Sequence, residues 1–191
     1  MLDRLKSQAR LGMEPVGLAL ARTGITPNAL TIVGCLLNFG VAAVIASGSL
    51  ALGGLLILFA GVFDMLDGAL ARAAGKTSTF GAFLDSTLDR YSEAAIFLGV
   101  FIEAALRGDL QVQVLTYAAA IGSLMVSYAR ARAEGLGLRS SVGLFQRPER
   151  ILLLGVGLIF GLEVPALWIL AILTNVTALQ RILHVRRLTE Q

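Results

Sequence analysis

Apolar residues run along this chain in six long blocks, each bounded by a short cluster of Gly, Ser, Pro or charged residues. The blocks cover residues 28–46, 52–72, 80–106, 112–134, 149–162 and 166–184. Several approach the roughly 20 residues that a helix needs to cross a bilayer, and a segment in lipid must satisfy its own backbone groups, as a helix does. The pattern predicts an all-α integral membrane protein with six transmembrane helices. Ser47-Gly48-Ser49, Arg107-Gly108-Asp109 and Glu163-Val164-Pro165 read as tight turns, and the Gly-, Ser- and Arg-rich stretch after Glu134 as a polar loop. Ahead of the first block, residues 1–22 interleave Arg4, Lys6, Arg10 and Arg22 with Leu2, Leu5, Leu11, Met13, Val16, Leu18 and Leu20. That spacing fits an amphipathic interfacial helix lying on the membrane surface, not a cleavable signal peptide. With no repeat and no low-complexity tail, residues 1–191 read as a single domain: an interfacial helix over 1–22 and a six-helix core over 28–184.

Composition excludes a soluble globular domain. Of the 191 residues, 56% are hydrophobic and only 15% charged, with a mean hydropathy of +0.77, where a soluble domain carries about a quarter charged residues. The positive charges then orient the spans. Arg4, Lys6, Arg10, Arg22, Lys76, Arg139, Arg147, Arg186 and Arg187 fall on the side that holds both termini if six spans alternate, and Arg72, Arg130, Arg132, Arg150 and Arg181 lie near helix ends on that side. The opposite side holds only Arg107. The positive-inside rule places both termini in the cytoplasm, so the expectation is a multi-pass protein of the cytoplasmic membrane. Membrane lipids are its surroundings, and no nucleic-acid partner is expected.

Against this apolar background the carboxylates stand out. Asp64 and Asp67 are spaced i,i+3 and share a face of the second span; Asp85 and Asp89 are spaced i,i+4 and share a face of the third. A short connection over 73–79 makes these spans antiparallel neighbours with both pairs near their cytoplasmic ends. An intramembrane carboxylate is costly and marks function; the nearest basic residues are Arg72 and Arg90. A divalent cation compensates four converging carboxylates most simply. The single Cys35 lies in an apolar run and the single His184 among arginines, so the donors are oxygens, which suit Mg²⁺ or Mn²⁺. Helix ends dipping into the headgroups with solvated aspartates would be the plain alternative; Gly68 after Asp67, and Gly81 one turn before Asp85, favour a site that a ligand or helix approaches closely.

These residues resemble a known pattern. Asp64-Met65-Leu66-Asp67-Gly68-Ala69-Leu70-Ala71-Arg72, eight residues, then Gly81-Ala82-Phe83-Leu84-Asp85-Ser86-Thr87-Leu88-Asp89 is similar to the D-x-x-D-G-x-x-A-R … G-x-x-x-D-x-x-x-D signature of the CDP-alcohol phosphatidyltransferase family, at all eight fixed positions. The resemblance implies a six-helix core, a homodimer and a cytoplasm-facing site for divalent metal and a CDP-lipid donor. It implies that Asp64, Asp67 and Asp85 hold metal, and that Asp89 completes the site and acts as general base on the acceptor hydroxyl. Gly68 would leave room for the nucleotide and Arg72 would steady it. Pro27-Asn28-Ala29-Leu30-Thr31 resembles the family's P-[DN]-x-x-T element, making Asn28 and Thr31 candidate CDP contacts, although Pro27 and Asn28 also suit the start of a helix.

The acceptor is read from arginines. Arg130, Arg132, Arg147, Arg150 and Arg181 suggest an alcohol that itself carries a phosphate, which arginine binds bidentately. Ser127-Tyr128-Ala129-Arg130-Ala131-Arg132-Ala133-Glu134 and Arg147-Pro148-Glu149-Arg150 resemble the phosphatidylinositol-phosphate synthase branch, whose acceptor is inositol 1-phosphate. Glycerol 3-phosphate, as in phosphatidylglycerophosphate synthases, is the alternative; so is plain positive-inside anchoring, with Arg132 paired to Glu134 or to a lipid phosphate. Outside this family, a divalent-cation transporter would also carry intramembrane carboxylates, but the far halves of the spans offer only Glu103.

Overall fold

The computed structural model describes residues 24–190 apart from 74, 76, 139–141 and 144, together with 19 and 22; within helices, the side chains of Met65, Asp67 and Arg72 lie outside the description. The predicted interfacial helix over 1–22 lies outside the described residues, except Ala19 and Arg22. The described residues form helices and no strands: α1 (Pro27–Ala46), α2 (Leu50–Ala73), α3 (Thr79–Arg107), α4 (Leu110–Gly135), α5 (Arg147–Ile159) and α6 (Glu163–Thr189). Four of them, α1, α2, α4 and α6, are long and apolar enough to cross a membrane. The charged residues of α3, from Asp85 to Arg107, set it apart. At 13 residues, α5 rises about 20 Å at ~1.5 Å per residue, short of a ~30 Å hydrocarbon core.

Local chemistry explains the boundaries. Gly48 and Gly108 take positive φ (91° and 73°) in the two predicted glycine turns, a conformation that lacks a steric penalty only for glycine. Asp109 caps α4, its Oδ1 accepting from the Val112 amide at 3.0 Å. The expected turn at Glu163-Val164-Pro165 is instead the first turn of α6. Proline is tolerated there because first-turn amides have no helical acceptor. The other end of α6 runs on to Thr189, past the expected 184; nothing after His184 breaks it, and Arg186 pairs with Glu190 at i,i+4 (2.6 Å).

Packing divides the chain into two compact units, Met1–Gly40 with Phe59–Ser92, and Val41–Leu58 with Glu93–Gln191. The division falls inside α1, α2 and α3, not in a linker. In the second unit, Ile45, Ile57, Ile96, Val100, Val112, Leu154, Leu158, Leu167 and Leu170 form the buried core. Small residues let its helices approach, as expected where lipid weakens the hydrophobic drive. A Cβ on Gly54 would lie 2.5 Å from the Gly155 carbonyl oxygen of α5. Between α4 and α6, a Cβ on Gly122 would collide with Thr174, and Asn175 Nδ2 donates to Ala118 O at 3.2 Å. At the start of α6, Arg107 Nε holds Glu103 at 2.8 Å and its Nη1 lies 3.5 Å from Glu163, so the far-end carboxylate of α3 is ion-paired. Gly54→Leu should cost about 1–3 kcal/mol by overpacking, seen as a thermal midpoint lower by several degrees in detergent; an unchanged midpoint would deny the contact. Outward, Leu36, Phe59, Leu106 and Phe160 are more than half exposed, an apolar surface suited to lipid.

Candidate active site

The first unit brings the ends of three helices together. Thr26 caps α1 through Oγ1, which accepts from the Ala29 amide at 3.3 Å, and Pro27 supplies the first helical residue with its fixed φ. After α2 the chain turns at Gly75 (φ 61°), and Ser78 caps α3, its Oγ accepting from the Gly81 amide at 2.9 Å. Gly81 makes the meeting of α1 and α3 possible. A Cβ there would stand 3.0 Å from Ser78 Oγ and 3.2 Å from Asn28 Oδ1. Gly34 does the same for α1 and α2, since a Cβ on it would lie 3.1 Å from Asp64 Oδ1.

The result is an open cleft of ≈ 190 Å³ lined by Pro27, Asn28, Thr31, Gly68, Ala71, Thr77, Ser78, Gly81, Ala82 and Asp85. Four residues singled out by sequence, Asn28, Thr31, Gly68 and Asp85, thus share one cavity. Its walls carry hydroxyl, amide and carboxylate groups over a floor of Gly and Ala. Residues at the N-termini of both α1 and α3 line it, where the helix dipole favours an anion. Thr31 Oγ1 donates to Pro27 O at 3.1 Å. Thr77 and Ser78 were missed from sequence; a Ser three residues before Gly81, ahead of an apolar run, is a cap signal that could have found Ser78.

Along α3 the aspartates follow at one-turn spacing. Asp64, Asp85 and Asp89 are all half-buried. Asp89 keeps 21% of its side chain exposed and stands 3.9 Å from Arg90 Nη1, the outer limit of an ion pair; Arg90 Nη1 also donates to Ser86 O. The hydroxyls of Ser86 and Thr87 both turn back to Phe83 O, at 2.8 and 2.9 Å, so on this helix they serve the backbone. Asp67 and Arg72 lie on α2 with side chains outside the description, and the remaining described residues form no cluster of three potential ligands by themselves. The donor chemistry fits a hard divalent ion. The candidate set is wholly carboxylate, Cys35 is buried within α1, and His184 lines a separate cleft with Val142, Gln180, Leu183 and Arg187.

In the second unit the predicted acceptor arginines are of different kinds. Arg130 pairs with Glu134 across one turn at 2.8 Å, so Glu134 serves Arg130, while Arg132 is exposed. Arg147, half-buried, opens α5. Arg181 is 4% exposed; its Nε donates to Val142 O at 2.9 Å and its Nη1 to Val126 O at 2.5 Å. Gly143, at φ 137°, packs on this guanidinium: a Cβ would lie 3.3 Å from Nε. Arg150 is buried against Glu93, with Nε–Oε1 at 2.6 Å and Nη2–Oε2 at 2.8 Å. The sequence reading passed over Glu93, although a further carboxylate in an apolar helix was the signal.

A helical membrane-type protein with a cleft beside D-x-x-D and D-x-x-x-D helices is a known class. Residues 24–182 match the model of the CDP-alcohol phosphatidyltransferase family, and the chain belongs to that family. It is 37% identical over 191 residues to the archaetidylinositol phosphate synthase of Pyrococcus horikoshii, covering 100% of this chain and 99% of that one. It is 41% identical over 181 residues to the phosphatidylinositol phosphate synthase of Mycobacteroides abscessus, covering 90% and 82%. Among solved structures, the Mycobacterium tuberculosis phosphatidylinositol phosphate synthase with CDP-DAG bound superposes with a TM-score of 0.85 at 34% identity, covering 91% of this chain and 92% of that one. The same enzyme in complex with manganese and citrate gives 0.83, also at 34% identity, covering 91% and 88%.

Proposed function

We propose that this enzyme transfers the phosphatidyl group of CDP-diacylglycerol, or the corresponding group of a related CDP-lipid, to inositol 1-phosphate and releases CMP. The observation that carries the reading is the cleft in which Asn28, Thr31, Gly68 and Asp85 meet; the two named relatives, both inositol phosphate lipid synthases, support the acceptor.

In this reading the cytidine and its phosphates lie in the cleft, against the amide ends of α1 and α3, with Gly68 leaving room and Arg72 steadying them. The acceptor hydroxyl attacks the lipid-bearing phosphorus. Its new P–O bond forms as the bond to the bridging oxygen breaks, and CMP leaves with that electron pair. Asp89 takes the hydroxyl proton. Asp64, Asp67, Asp85 and Asp89 would hold Mg²⁺ or Mn²⁺, whose charge offsets that of the pyrophosphate. Arg130, Arg132, Arg147 and Arg181 are the candidates for the acceptor's phosphate. Of these Arg181 is the most firmly oriented, because two backbone carbonyls fix the plane of its guanidinium. We further infer one membrane domain with six crossings, both termini and the active site in the cytoplasm, and a homodimer. The charge asymmetry of the loops supports the orientation, and the exposed apolar faces suit lipid and a second copy.

The test is CMP release by purified protein in detergent with Mg²⁺ and CDP-diacylglycerol, comparing inositol 1-phosphate, glycerol 3-phosphate, inositol and serine. Release that depends on inositol 1-phosphate is expected. Release with glycerol 3-phosphate alone would keep the reaction and discard the acceptor. No release with any of them sends the test to a CDP-linked archaeal ether lipid, and failure there too would discard the reaction.

A further inference from the structure

Arg150 closes the Arg-x-Glu-Arg element that sequence assigns to the acceptor phosphate, yet its surroundings give it another partner. The residue is 2% exposed and Glu93 5%. The Nε and Nη2 edge forks onto both oxygens of Glu93, the bidentate geometry in which an arginine binds a carboxylate or a phosphate most strongly. Its remaining nitrogen, Nη1, reaches Phe145 O at 3.4 Å. Every nitrogen of this guanidinium faces protein, and its charge is matched by a carboxylate buried to the same degree. A phosphate could take this edge only by expelling Glu93, leaving a buried carboxylate unpaired beside an incoming anion.

The pair also stands where a fixing point is needed. α5 is short, and its N-cap residue Gln146 makes no side-chain cap. The helix therefore starts with little local support, apart from Pro148 and the Arg150 amide bonded to Gln146 O at 3.2 Å. The side chain of Arg150 ties that same turn to α3, 57 residues back in the chain. Arg147 lies three residues ahead of Arg150 in the tied turn.

We propose that Glu93 and Arg150 form a positioning pair for acceptor binding. The pair sets the first turn of α5 and so places Arg147, which, rather than Arg150, meets the acceptor's phosphate. This rests on the reading of the acceptor as a phosphorylated polyol.

Steady-state kinetics of Glu93→Gln, Arg150→Met, Arg147→Met and the double variant Glu93→Met/Arg150→Met test it, with the thermal midpoint measured alongside. Glu93→Gln is expected to raise the KM for inositol 1-phosphate about tenfold, with the KM for CDP-diacylglycerol changed by less than about twofold, as for lost uniform binding of one substrate. Arg150→Met should do the same, or fail to fold. The double variant, which leaves no buried charge unpaired, should recover most of the acceptor affinity. Arg147→Met should raise the acceptor KM with the KM for CDP-diacylglycerol changed by less than about twofold. Arg150 is instead a direct ligand if Glu93→Gln leaves the acceptor KM unchanged and the double variant binds acceptor no better than Arg147→Met does. If Glu93→Gln lowers the midpoint alone, the pair is merely structural and the proposal falls. Wild-type protein inert with inositol 1-phosphate would overturn only the acceptor assignment, and the same variants are then read with whichever acceptor releases CMP.

Discussion

Asp89→Asn is expected to lower kcat by about 10²–10⁴-fold, the usual contribution of a positioned general base, while CDP-lipid binding survives. The asparagine keeps the shape of the aspartate and one acceptor oxygen but cannot take a proton. Asp89 suits the role because 21% of its side chain is exposed, which gives an incoming hydroxyl access to its carboxylate. It also falls outside the residues that line the cleft, whereas Asp85, one turn earlier, lies within it. The measurement is CMP release set beside equilibrium binding of labelled CDP-diacylglycerol, both across a Mg²⁺ titration. Loss of binding in step with turnover would make Asp89 chiefly a metal ligand. Turnover restored by raised Mg²⁺ would say the same.

What could be read from sequence, and what could not, follows the range of the interactions. The boundaries of α1 to α4 were legible because largely apolar runs end at short polar clusters, and Gly48 and Gly108 in two of these take the positive φ that a tight turn requires. The start of α6 was misread because a proline is as acceptable in a first helical turn as in a loop; only the backbone distinguishes them. Asn28, Thr31, Gly68 and Asp85 were legible as site residues because motif spacing puts each on a helix end or helix face. Thr77 and Ser78 line the cleft beside the cap that Ser78 places on the Gly81 amide, a position that motif spacing does not display. The arginines show the limit most clearly. Arg150 and Arg147 carry the same charge three residues apart, but the carboxylate that claims Arg150 is 57 residues away. Arg181 likewise finds Val142 and Val126 at separations of 39 and 55. Periodicity says which residues face inward together, and it does not say which of several like charges is already neutralised.

Gly81→Leu should abolish donor use with little loss of fold, because this glycine sits where two helix starts and the cleft coincide. Its missing Cβ would stand 3.0 Å from the hydroxyl that caps α3 and 3.2 Å from the Asn28 amide oxygen. Alanine asks those side chains to give by a few tenths of an ångström. Leucine cannot be placed without pushing Asn28 aside or filling the cavity whose wall Gly81 forms. The lost cap is worth about 1 kcal/mol, which a folded domain with a typical stability of roughly 5–15 kcal/mol tolerates. The donor has no such margin: displacing Asn28 and occupying the donor's site should weaken CDP-lipid binding by about 100-fold or more, about 2.8 kcal/mol at 1.4 kcal/mol per decade. Binding of labelled CDP-diacylglycerol to wild type, Gly81→Ala and Gly81→Leu should fall in that order. Gly40→Ala, where a Cβ would meet nothing within 4 Å, serves as the control and should match wild type. If Gly81→Leu binds donor normally, the nucleotide lies elsewhere, and the cleft between the starts of α1 and α3 is not the donor site.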